Sequence, residues 1–521
     1  MGSVDRASAS HPANADAAGR GAWVALALAI LLPLASYLLL GDRHLNISDE
    51  GFLWYGVQRT RAGEVPMRDF QAYDPGRYHW CAALAPLFGD GILGVRAASA
   101  VFQGLGLLCA LLVARRVARG VGWQLFVGLL LMLWMFPRHK LFEPAIGAMA
   151  AWFAVRLLER PSLARHLATG AFVGLAGYFG RNLGLYCGLA TGVWVLWLAW
   201  KQREPGFARR AGAWAFGVGL GYSPMLVMFA FVPGFAQAFD DSLRLILEHG
   251  ANISRPWPWP WRIESAGVSP RNVFRDWMTA LAFLLPVLAL PGLLFAVVRT
   301  RAEDLRARAA CLAPAVVAFF FLHHASVNSG AWHLAQSSPP LVLALLALPQ
   351  LFPVRRGAVA LLSSGGLALV TLGFSLSSNP DLTQTLGQPS VEHRIGRETL
   401  KLQPRHASLL AGLEAALART VGDEPVFLAP NIPSFYCVLG KRSPSWWLFF
   451  FWEATPAEQQ ALIQELGEPR VDWALVFESP RDVQDRRFSD THPLVWQHFE
   501  TRWRRVPAPG LPPDFVLFRR R

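Results

Sequence analysis

Long apolar stretches recur along most of this sequence, and this feature limits the folds open to it more than any other. The stretches are roughly 16 to 22 residues long, enough to cross the hydrocarbon core of a bilayer as helices. Lipid offers the backbone no hydrogen-bond partner, so each stretch must satisfy its own N–H and C=O groups, as an α-helix does. Charged residues make up only 16% of the chain, against about 25% in ordinary soluble domains. The sequence therefore predicts an all-α polytopic membrane protein.

The apolar stretches predict about eleven transmembrane helices. Residues 1–20 are rich in Ala and Ser, and we expect them to form a disordered cytoplasmic tail. The next run is longer than a signal-peptide core and has no small-residue cleavage site after it, so we interpret it as a retained helix. The predicted spans lie near residues 22–40, 92–114, 121–137, 142–158, 166–180, 183–200, 211–232, 277–298, 309–323, 339–352 and 357–376.

The short connections between the spans predict the orientation of the chain, because Lys and Arg accumulate on the cytoplasmic side. Alternate connections are basic, and they contain Arg115, Arg116 and Arg119; Arg156, Arg160 and Arg165; Lys201, Arg203, Arg209 and Arg210; Arg299, Arg301, Arg306 and Arg308; and Arg355 and Arg356. The other connections, 41–91, 138–141, 181–182, 233–276 and 324–338, then share the external face with everything after about residue 377.

This pattern predicts a multi-pass protein of the inner (plasma) membrane with a cytoplasmic N-terminus. The net charge of +13 is spread over many connections, whereas a nucleic-acid binder gathers its basic residues in one patch. Membrane lipids are therefore the expected partners of these basic residues, and no nucleic-acid partner is expected.

The chain after about residue 377 loses the membrane pattern. Short apolar runs at 425–429 and 473–477 are typical of buried strands, and a helix-like stretch at 455–466 separates them. We predict a small C-terminal α/β extramembrane domain. The expected organisation is a tail at 1–20, a transmembrane domain at 21–376 with its first periplasmic loop at 41–91, and a periplasmic domain at 377–521.

The first external loop carries two acids, Asp49 and Glu50, just beyond the first predicted helix. A carboxylate at that depth can take a proton from a hydroxyl or amine nucleophile, or hold a cation, where lipid-borne substrates present their head groups. The alternative is a solvated loop whose acids pair with its own arginines. The residue types alone leave both interpretations open.

The same loop continues with Gly63-Glu64-Val65-Pro66-Met67-Arg68-Asp69-Phe70 and then Tyr73-Asp74-Pro75-Gly76. Together with the Asp49-Glu50 pair, this run resembles the corresponding loop of the GT-C superfamily of membrane glycosyltransferases, which includes protein O-mannosyltransferase and aminoarabinose transferase relatives. The resemblance covers the first loop well, the helical layout approximately, and the soluble tail only in its placement.

The resemblance implies transfer of a sugar, hexosyl or pentosyl, from a polyprenyl-phosphate or polyprenyl-diphosphate donor to an acceptor on the periplasmic face. The acceptor would be a lipid, a glycan or a protein. Asp49 becomes the leading catalytic base, with Glu50 beside it and Glu143 as a second acid, in a connection where many relatives have Asp. No cofactor is certain for this chemistry, and a divalent cation shared by Glu143 stays an open alternative.

Further substrate-binding residues follow from the resemblance. Asp69, Tyr73 and Asp74 belong to the shared run of the first loop and are predicted to bind substrate. His333, in the segment Trp332-His333-Leu334-Ala335-Gln336, is similar to a histidine that precedes a late helix in bacterial members. It is predicted to contact the donor phosphate, and the alternative is a hydrogen-bonded histidine at the membrane interface.

Cationic residues near Glu143 are of the type that a departing lipid phosphate needs. Arg138, His139 and Lys140 precede this acid, on the face where basic residues are not expected. Their alternative role is to snorkel to lipid head groups. Arg181 stands between two spans, where a charge is costly unless it meets an opposite one, so it either binds phosphate or pairs with Glu143.

Three histidines, His323, His324 and His333, raise the question of a metal site. Adjacent His323 and His324 point in different directions on a helix, and no cysteine or close carboxylate completes a ligand set. We therefore predict no metal site at these residues.

Trp257, Trp259 and Trp261 alternate with prolines, which favours a rigid, extended course. Tryptophan prefers the head-group layer, so anchoring at the membrane surface is the expected role, and stacking on an acceptor sugar is the alternative.

Two other functions fit parts of the sequence, and a non-catalytic protein that resembles the GT-C superfamily is a third alternative. A transporter or flippase of lipid-linked sugars would place charges and broken helices near the bilayer midplane, but the predicted spans hold few acids and show no inverted repeat. An O-antigen ligase or polymerase uses similar donors and concentrates its function in a large late loop. That alternative draws on four arginines of the 233–276 connection, Arg255, Arg262, Arg271 and Arg275.

Overall fold

Helices form most of the described chain before residue 384, in agreement with the predicted α-helical membrane domain. The computed structural model describes residues 12–202, 206–250, 255–450, 452–467, 471–480 and 486–521. The first eleven helices are α1 (Pro12–Leu40), α2 (Asp49–Arg61), α3 (Gly76–Phe88), α4 (Ile92–Ala114), α5 (Val121–Trp134), α6 (Phe142–Glu159), α7 (Leu163–Phe179), α8 (Arg181–Gln202), α9 (Phe207–Gly221), α10 (Ser223–Phe231) and α11 (Phe235–His249). They are followed by α12 (Pro270–Arg299), α13 (Leu305–Val327), α14 (Ala331–Ser337), α15 (Pro339–Leu346), α16 (Arg356–Ser378) and α17 (Pro380–Thr383).

Six helices in the described part of the chain are long and apolar enough to cross a membrane. They are α1, α4, α8, α12, α13 and α16, and α9 with α10 makes a seventh if the two, bent by 53°, form one span. Every predicted span falls on a helical segment, but the predicted count of about eleven is not reached by this measure. Helix α5 has 14 residues, α7 has 17 and α15 has 8, whereas α6 carries three charged residues among its 18.

Helix α6 can carry charged residues because it lies inside the bundle, packed between α4 and α13. Its residues Ala145, Ala148 and Ala151 are fully buried. A Cβ atom at Gly106 of α4 would stand 2.5 Å from the Cα of Ala145, so the two backbones approach closely. A helix enclosed by protein does not have to match the hydrocarbon thickness of the bilayer, and it can carry polar groups that partners satisfy.

Helix α1 begins at Pro12, well before the predicted start near residue 22. Residues 12–20 are therefore helical, although the sequence predicted a disordered tail there, and residues 1–11 lie outside the described residues. The first external loop, 41–91, is also largely helical, since α2 and α3 lie within it.

The chain after α17 forms the predicted α/β domain. Its strands are β1 (Val391–Ile395), β2 (Glu398–Leu402), β3 (Val426–Ala429), β4 (Trp473–Phe477), β5 (Trp503–Arg505) and β6 (Phe515–Arg520). Its helices are α18 (Pro404–Thr420), α19 (Ser434–Val438), α20 (Pro456–Gly467), α21 (Phe488–Thr491) and α22 (Pro493–Arg502). Strands β1 and β2 form an antiparallel hairpin, and the other four form a sheet in the order β3-β4-β6-β5, in which only β3 and β4 are parallel.

The C-terminal domain packs directly on the first external loop. The ring of Phe449 stacks on that of Phe52, with centroids 4.3 Å apart. Gln71 Oε1 accepts hydrogen bonds from the backbone N–H groups of Leu448, at 2.9 Å, and Phe449, at 2.8 Å. The domain and the first loop therefore lie on the same side of the membrane domain, as the predicted topology requires.

Candidate functional site

Asp49 stands at the first position of α2, and the local sequence fixes it there. The Asn46 side-chain oxygen accepts hydrogen bonds from the backbone N–H groups of Ser48 and Asp49, both at 3.0 Å, which turns the chain into the helix. An acid in the first turn is favoured by the helix dipole. The Asp49 side chain remains 28% exposed, so its carboxylate is open to a substrate.

Three other predicted site residues surround this carboxylate. His139 belongs to the 3₁₀ turn Arg138–Lys140, and its Nε2 lies 4.0 Å from Asp49 Oδ2. Lys140 Nζ donates a hydrogen bond of 2.6 Å to the Tyr73 hydroxyl and lies 3.8 Å from the centroid of that ring. The structure thus brings Asp49, Tyr73, His139 and Lys140 together at one end of the membrane domain, in a cluster that we call the Asp49 pocket.

Burial shifts the pKa values of three side chains in this pocket. It lowers the pKa of Lys140, against the opposing effect of Glu143 and Asp49, and it lowers the pKa of His139. Burial also raises the pKa of Tyr73, an effect that the Asp49 carboxylate reinforces. The tyrosine therefore stays a neutral hydroxyl that can accept from Lys140, and the imidazole favours its neutral form.

Glu143 is more deeply buried than Asp49 and pairs with Arg77. Arg77 Nη1 is 3.0 Å from Glu143 Oε1, and Arg77 Nη2 donates to the carbonyl of Phe179 at 3.1 Å. The guanidinium carbon lies 4.7 Å from the centroid of the Tyr73 ring, which connects this pair to the pocket. Within the described chain, Glu143 Oε2 is buried without a hydrogen-bond partner.

Sequence analysis missed Arg77, and it gave the wrong partner for Arg181. Arg181 does not pair with Glu143, because its Nε and backbone N–H both donate to Asp74, each at 3.0 Å. Its Nη1 also donates to Ser242 Oγ in α11, at 2.9 Å. The position of Arg77 directly after Asp74-Pro75-Gly76 was the available signal, since a cation in that run has to meet an acid or a ligand once it is buried.

Glu50 is committed to a buried ion pair. Arg96 Nε and Nη2 donate to its two oxygens, each at 2.7 Å, and both side chains are 2% exposed. Burial alone would raise the pKa of Glu50, but Arg96 and Arg138 outweigh it and hold this pKa far below its usual range. This geometry favours a structural role for Glu50 over the predicted catalytic one.

Arg138 is also engaged in the structure rather than turned toward the pocket. Its Nη1 and Nη2 donate to the carbonyls of Leu40, at 2.7 Å, and Arg43, at 2.6 Å. Its Nε lies 3.1 Å from Asp381 Oδ1 and 3.5 Å from Glu50 Oε1. The predicted substrate contact of Arg138 is therefore replaced by contacts that join the end of α1, the start of α2 and α17.

Asp69 closes the first loop on itself. Its two oxygens accept from Arg68 Nε, at 2.8 Å, and Nη2, at 2.9 Å, and one also accepts from the backbone N–H of Val65. Asp69 and Asp74 thus stabilise the conformation of the first loop, Asp69 through Arg68 and Asp74 through Arg181. Neither contact involves Asp49 or Lys140.

The three late histidines have separate surroundings. Tyr186 OH is hydrogen-bonded to His323 Nδ1 at 2.8 Å, and His324 Nε2 is hydrogen-bonded to Gln336 Oε1 at 2.8 Å. The His333 ring lies 5.2 Å from that of His324, between centroids. Within the described residues, the group with metal-ligand spacing is a different one, Glu248, His249 and Glu458, between α11 and α20.

The tryptophan run follows the predicted non-helical course, with one 3₁₀ turn at Pro260–Arg262. The Trp257 and Trp259 rings stack at 5.4 Å between centroids, and Trp259 and Trp261 stack at 5.0 Å. Trp261 is 74% exposed, so one face of this ladder is open. Its role at the membrane surface stays a prediction.

No protein-family model matches this chain, and no curated protein matches it in sequence. Among solved structures, the chain is similar to ArnT from Cupriavidus metallidurans bound to undecaprenyl phosphate, with 16% identity, a TM-score of 0.49, and coverage of 95% of this chain and 97% of that one. The same protein in the apo state gives 16% identity, a TM-score of 0.47, and coverage of 96% and 98%. The oligosaccharyltransferase of Archaeoglobus fulgidus in the apo form gives 11% identity, a TM-score of 0.43, and coverage of 87% of this chain and 69% of that chain.

Proposed function

We propose that this protein is a membrane glycosyltransferase that moves a sugar from a polyprenyl-phosphate-type lipid donor to an acceptor at the external face of the membrane. One observation carries the proposal. Of the three predicted catalytic acids, Glu50 and Glu143 bond to arginines, whereas His139 is the one basic side chain of the described chain within 4.0 Å of the Asp49 carboxylate. A partly exposed carboxylate near the half-buried Lys140 ammonium is the arrangement that general-base transfer to an anionic leaving group requires.

In the proposed reaction, Asp49 accepts the proton of an acceptor hydroxyl or amine. The freed lone pair of the acceptor forms a bond to the anomeric carbon of the sugar. The bond from that carbon to the lipid phosphate breaks, and its electrons leave with the phosphate oxygen. Negative charge therefore moves from the acceptor to the phosphate, and a fixed ammonium close to the phosphate lowers the barrier.

Lys140 is the cation proposed for the phosphate. Its ammonium is held over the Tyr73 ring by the 2.6 Å hydrogen bond to the tyrosine hydroxyl, so its position is set before substrate binds. Arg77 also packs against this ring, with its guanidinium carbon 4.7 Å from the ring centroid, and is itself fixed by Glu143. Glu143 thus acts as a positioning residue in this proposal, through Arg77 and Tyr73.

The position of the pocket suits a donor whose tail lies in lipid. Asp49 begins α2, nine residues after Leu40 at the end of the apolar helix α1, and Lys140 lies two residues before Phe142, the first residue of α6. A phosphate at this level would leave its polyprenyl chain in the bilayer and its sugar at the aqueous boundary. With the basic connections on the cytoplasmic side, this boundary is the periplasmic one.

The test is reconstitution of the purified protein into liposomes with labelled polyprenyl-phosphate sugars. We expect the label to appear on an added acceptor extract, with one polyprenyl phosphate released for each sugar transferred. Movement of intact lipid-linked sugar across the bilayer, without label on any acceptor, would replace this proposal with the transporter function.

A further inference from the structure

The short connection between α13 and α14 holds two buried polar side chains that lack partners. Asn328 is 8% exposed and Ser329 is 5% exposed. Within the described residues, Asn328 Oδ1 and Ser329 Oγ have no hydrogen-bond partner. Buried polar atoms in native proteins nearly always have partners, so unpaired ones mark a place where a ligand or water completes the bonding.

Gly330 lies beside these residues and leaves a small polar cradle open. A Cβ atom at Gly330 would stand 3.4 Å from Asn328 Oδ1, 3.8 Å from Arg255 Nη1 and 4.0 Å from His333 Nδ1. The Gly330 backbone is extended, with φ −89° and ψ 156°, so its conformation does not call for glycine. The missing side chain instead leaves room for an atom of a ligand between these three polar groups.

The donors and acceptors of the cradle select a hydroxyl group. Arg255 can only donate a hydrogen bond, whereas Asn328 Oδ1 can only accept one. A phosphate oxygen would be repelled by the Asn328 carbonyl oxygen, and an ammonium would be repelled by Arg255. A sugar hydroxyl satisfies both, because it accepts from the guanidinium and donates to the amide oxygen.

The cradle lies next to the Asp49 pocket. His333 borders the cradle, and its neighbour Trp332 packs against His139, with ring centroids 6.3 Å apart. His139 in turn faces Asp49 at 4.0 Å. The His333 pKa is lowered, first by burial and then by His324, Lys140 and Arg255, which agrees with the cradle and the pocket sharing one electrostatic environment.

We infer that Asn328, Gly330 and Arg255 form a subsite that recognises one hydroxyl of the sugar on the lipid donor and so contributes to donor specificity. This inference rests on the proposed glycosyltransferase function. It assigns Arg255, on the 233–276 connection, a hydrogen bond to the sugar.

The test is Gly330→Ala, which places a methyl group in the cradle at ordinary van der Waals distances. The matched control is Gly120→Ala, because Gly120 is also an extended residue before a helix and a Cβ there meets nothing within 4 Å. In reconstituted transfer assays, we expect Gly330→Ala to raise the KM for the sugar donor about tenfold or more, with a smaller change in kcat. Gly120→Ala should leave both constants unchanged.

A series of donors, each lacking one sugar hydroxyl, provides the second measurement. Wild type should discriminate against one of these donors, and Arg255→Ala, a change at an exposed residue that does not threaten folding, should remove that discrimination. If wild type and the two variants, Gly330→Ala and Arg255→Ala, share the same KM and the same discrimination, the proposed subsite is overturned. The proposed glycosyltransferase function is not affected by that result. If wild type transfers no sugar from any donor, it is the glycosyltransferase proposal that fails.

Discussion

Arg96 of α4 holds Glu50 of α2 by two parallel hydrogen bonds of 2.7 Å inside the membrane domain. Because Glu50 is the second residue of α2, this pair fixes the helix turn that begins with Asp49. Arg138 adds a contact from the turn that carries His139 and Lys140. The buried ion pairs therefore hold the proposed base and the proposed phosphate-binding cation in one fixed arrangement.

Replacing Glu50 should destabilise the fold. In Glu50→Gln, the Arg96 guanidinium stays buried without a counter-charge, and breaking a buried pair in this way costs about 3–5 kcal/mol. Denaturant unfolding in detergent micelles should show a lower midpoint for Glu50→Gln. The control Glu303→Gln removes an acid whose pair with Arg301 is largely exposed, and it should leave the midpoint unchanged. Equal midpoints for the two variants would contradict the role given to Glu50.

Acid should weaken the contact between α17 and the membrane domain. Burial alone would raise the pKa of Asp381, but Arg138 and His44 outweigh it and lower this pKa from 3.8 to about 2. A depressed pKa means that the contribution to stability is complete above pH 3.8 and is lost as the pH falls toward about 2. The free energy of unfolding of wild type should fall in this window. That of Asp381→Asn should be lower at neutral pH and should change less as the pH falls. Parallel curves for the two proteins would rule this linkage out.

Removing the ammonium of Lys140 should slow transfer. Lys140→Met keeps the length and apolar contacts of the side chain but takes the positive charge away from the proposed phosphate position, and we expect kcat to fall by about 10²–10³. Lys201→Met is the control, since Lys201 lies over Trp200 on the opposite, basic side of the membrane domain. A kcat for Lys140→Met equal to that of the control would show that the leaving phosphate is stabilised elsewhere.

The helices and the grouping of the main site residues could be predicted because both follow from topology. Apolar length identified the helical segments, and the distribution of Lys and Arg placed Asp49 and Lys140 on one face, where the structure finds them in one pocket. The number of membrane-spanning helices could not be predicted, because the hydropathy of α6 and α15 does not reveal that they lie within protein rather than against lipid.

The pairing of charges could not be predicted either. Arg77 and Glu143 are 66 residues apart, and Asp74 and Arg181 are 107 apart. Which acid meets which arginine depends on how α3, α6 and α8 pack, and this information is absent from local sequence patterns. For the same reason, the sequence did not reveal that Glu50 and Arg138 form buried ion pairs. Both side chains have the chemistry of the roles predicted for them, catalysis for Glu50 and substrate binding for Arg138.

The most direct test of the account compares Asp49→Asn with Asp42→Asn in the reconstituted transfer assay. Asp42 is a nearby loop acid, paired with Lys401 at 2.6 Å, and its loss should leave the rate unchanged. Asp49→Asn keeps the shape of the side chain but cannot accept the proton of the acceptor, so the rate of sugar transfer should fall by about 10²–10⁴. Transfer by Asp49→Asn at the wild-type rate would contradict the assignment of Asp49 as the base. If Arg255→Ala also abolished transfer, the ligase-like function would replace the one proposed.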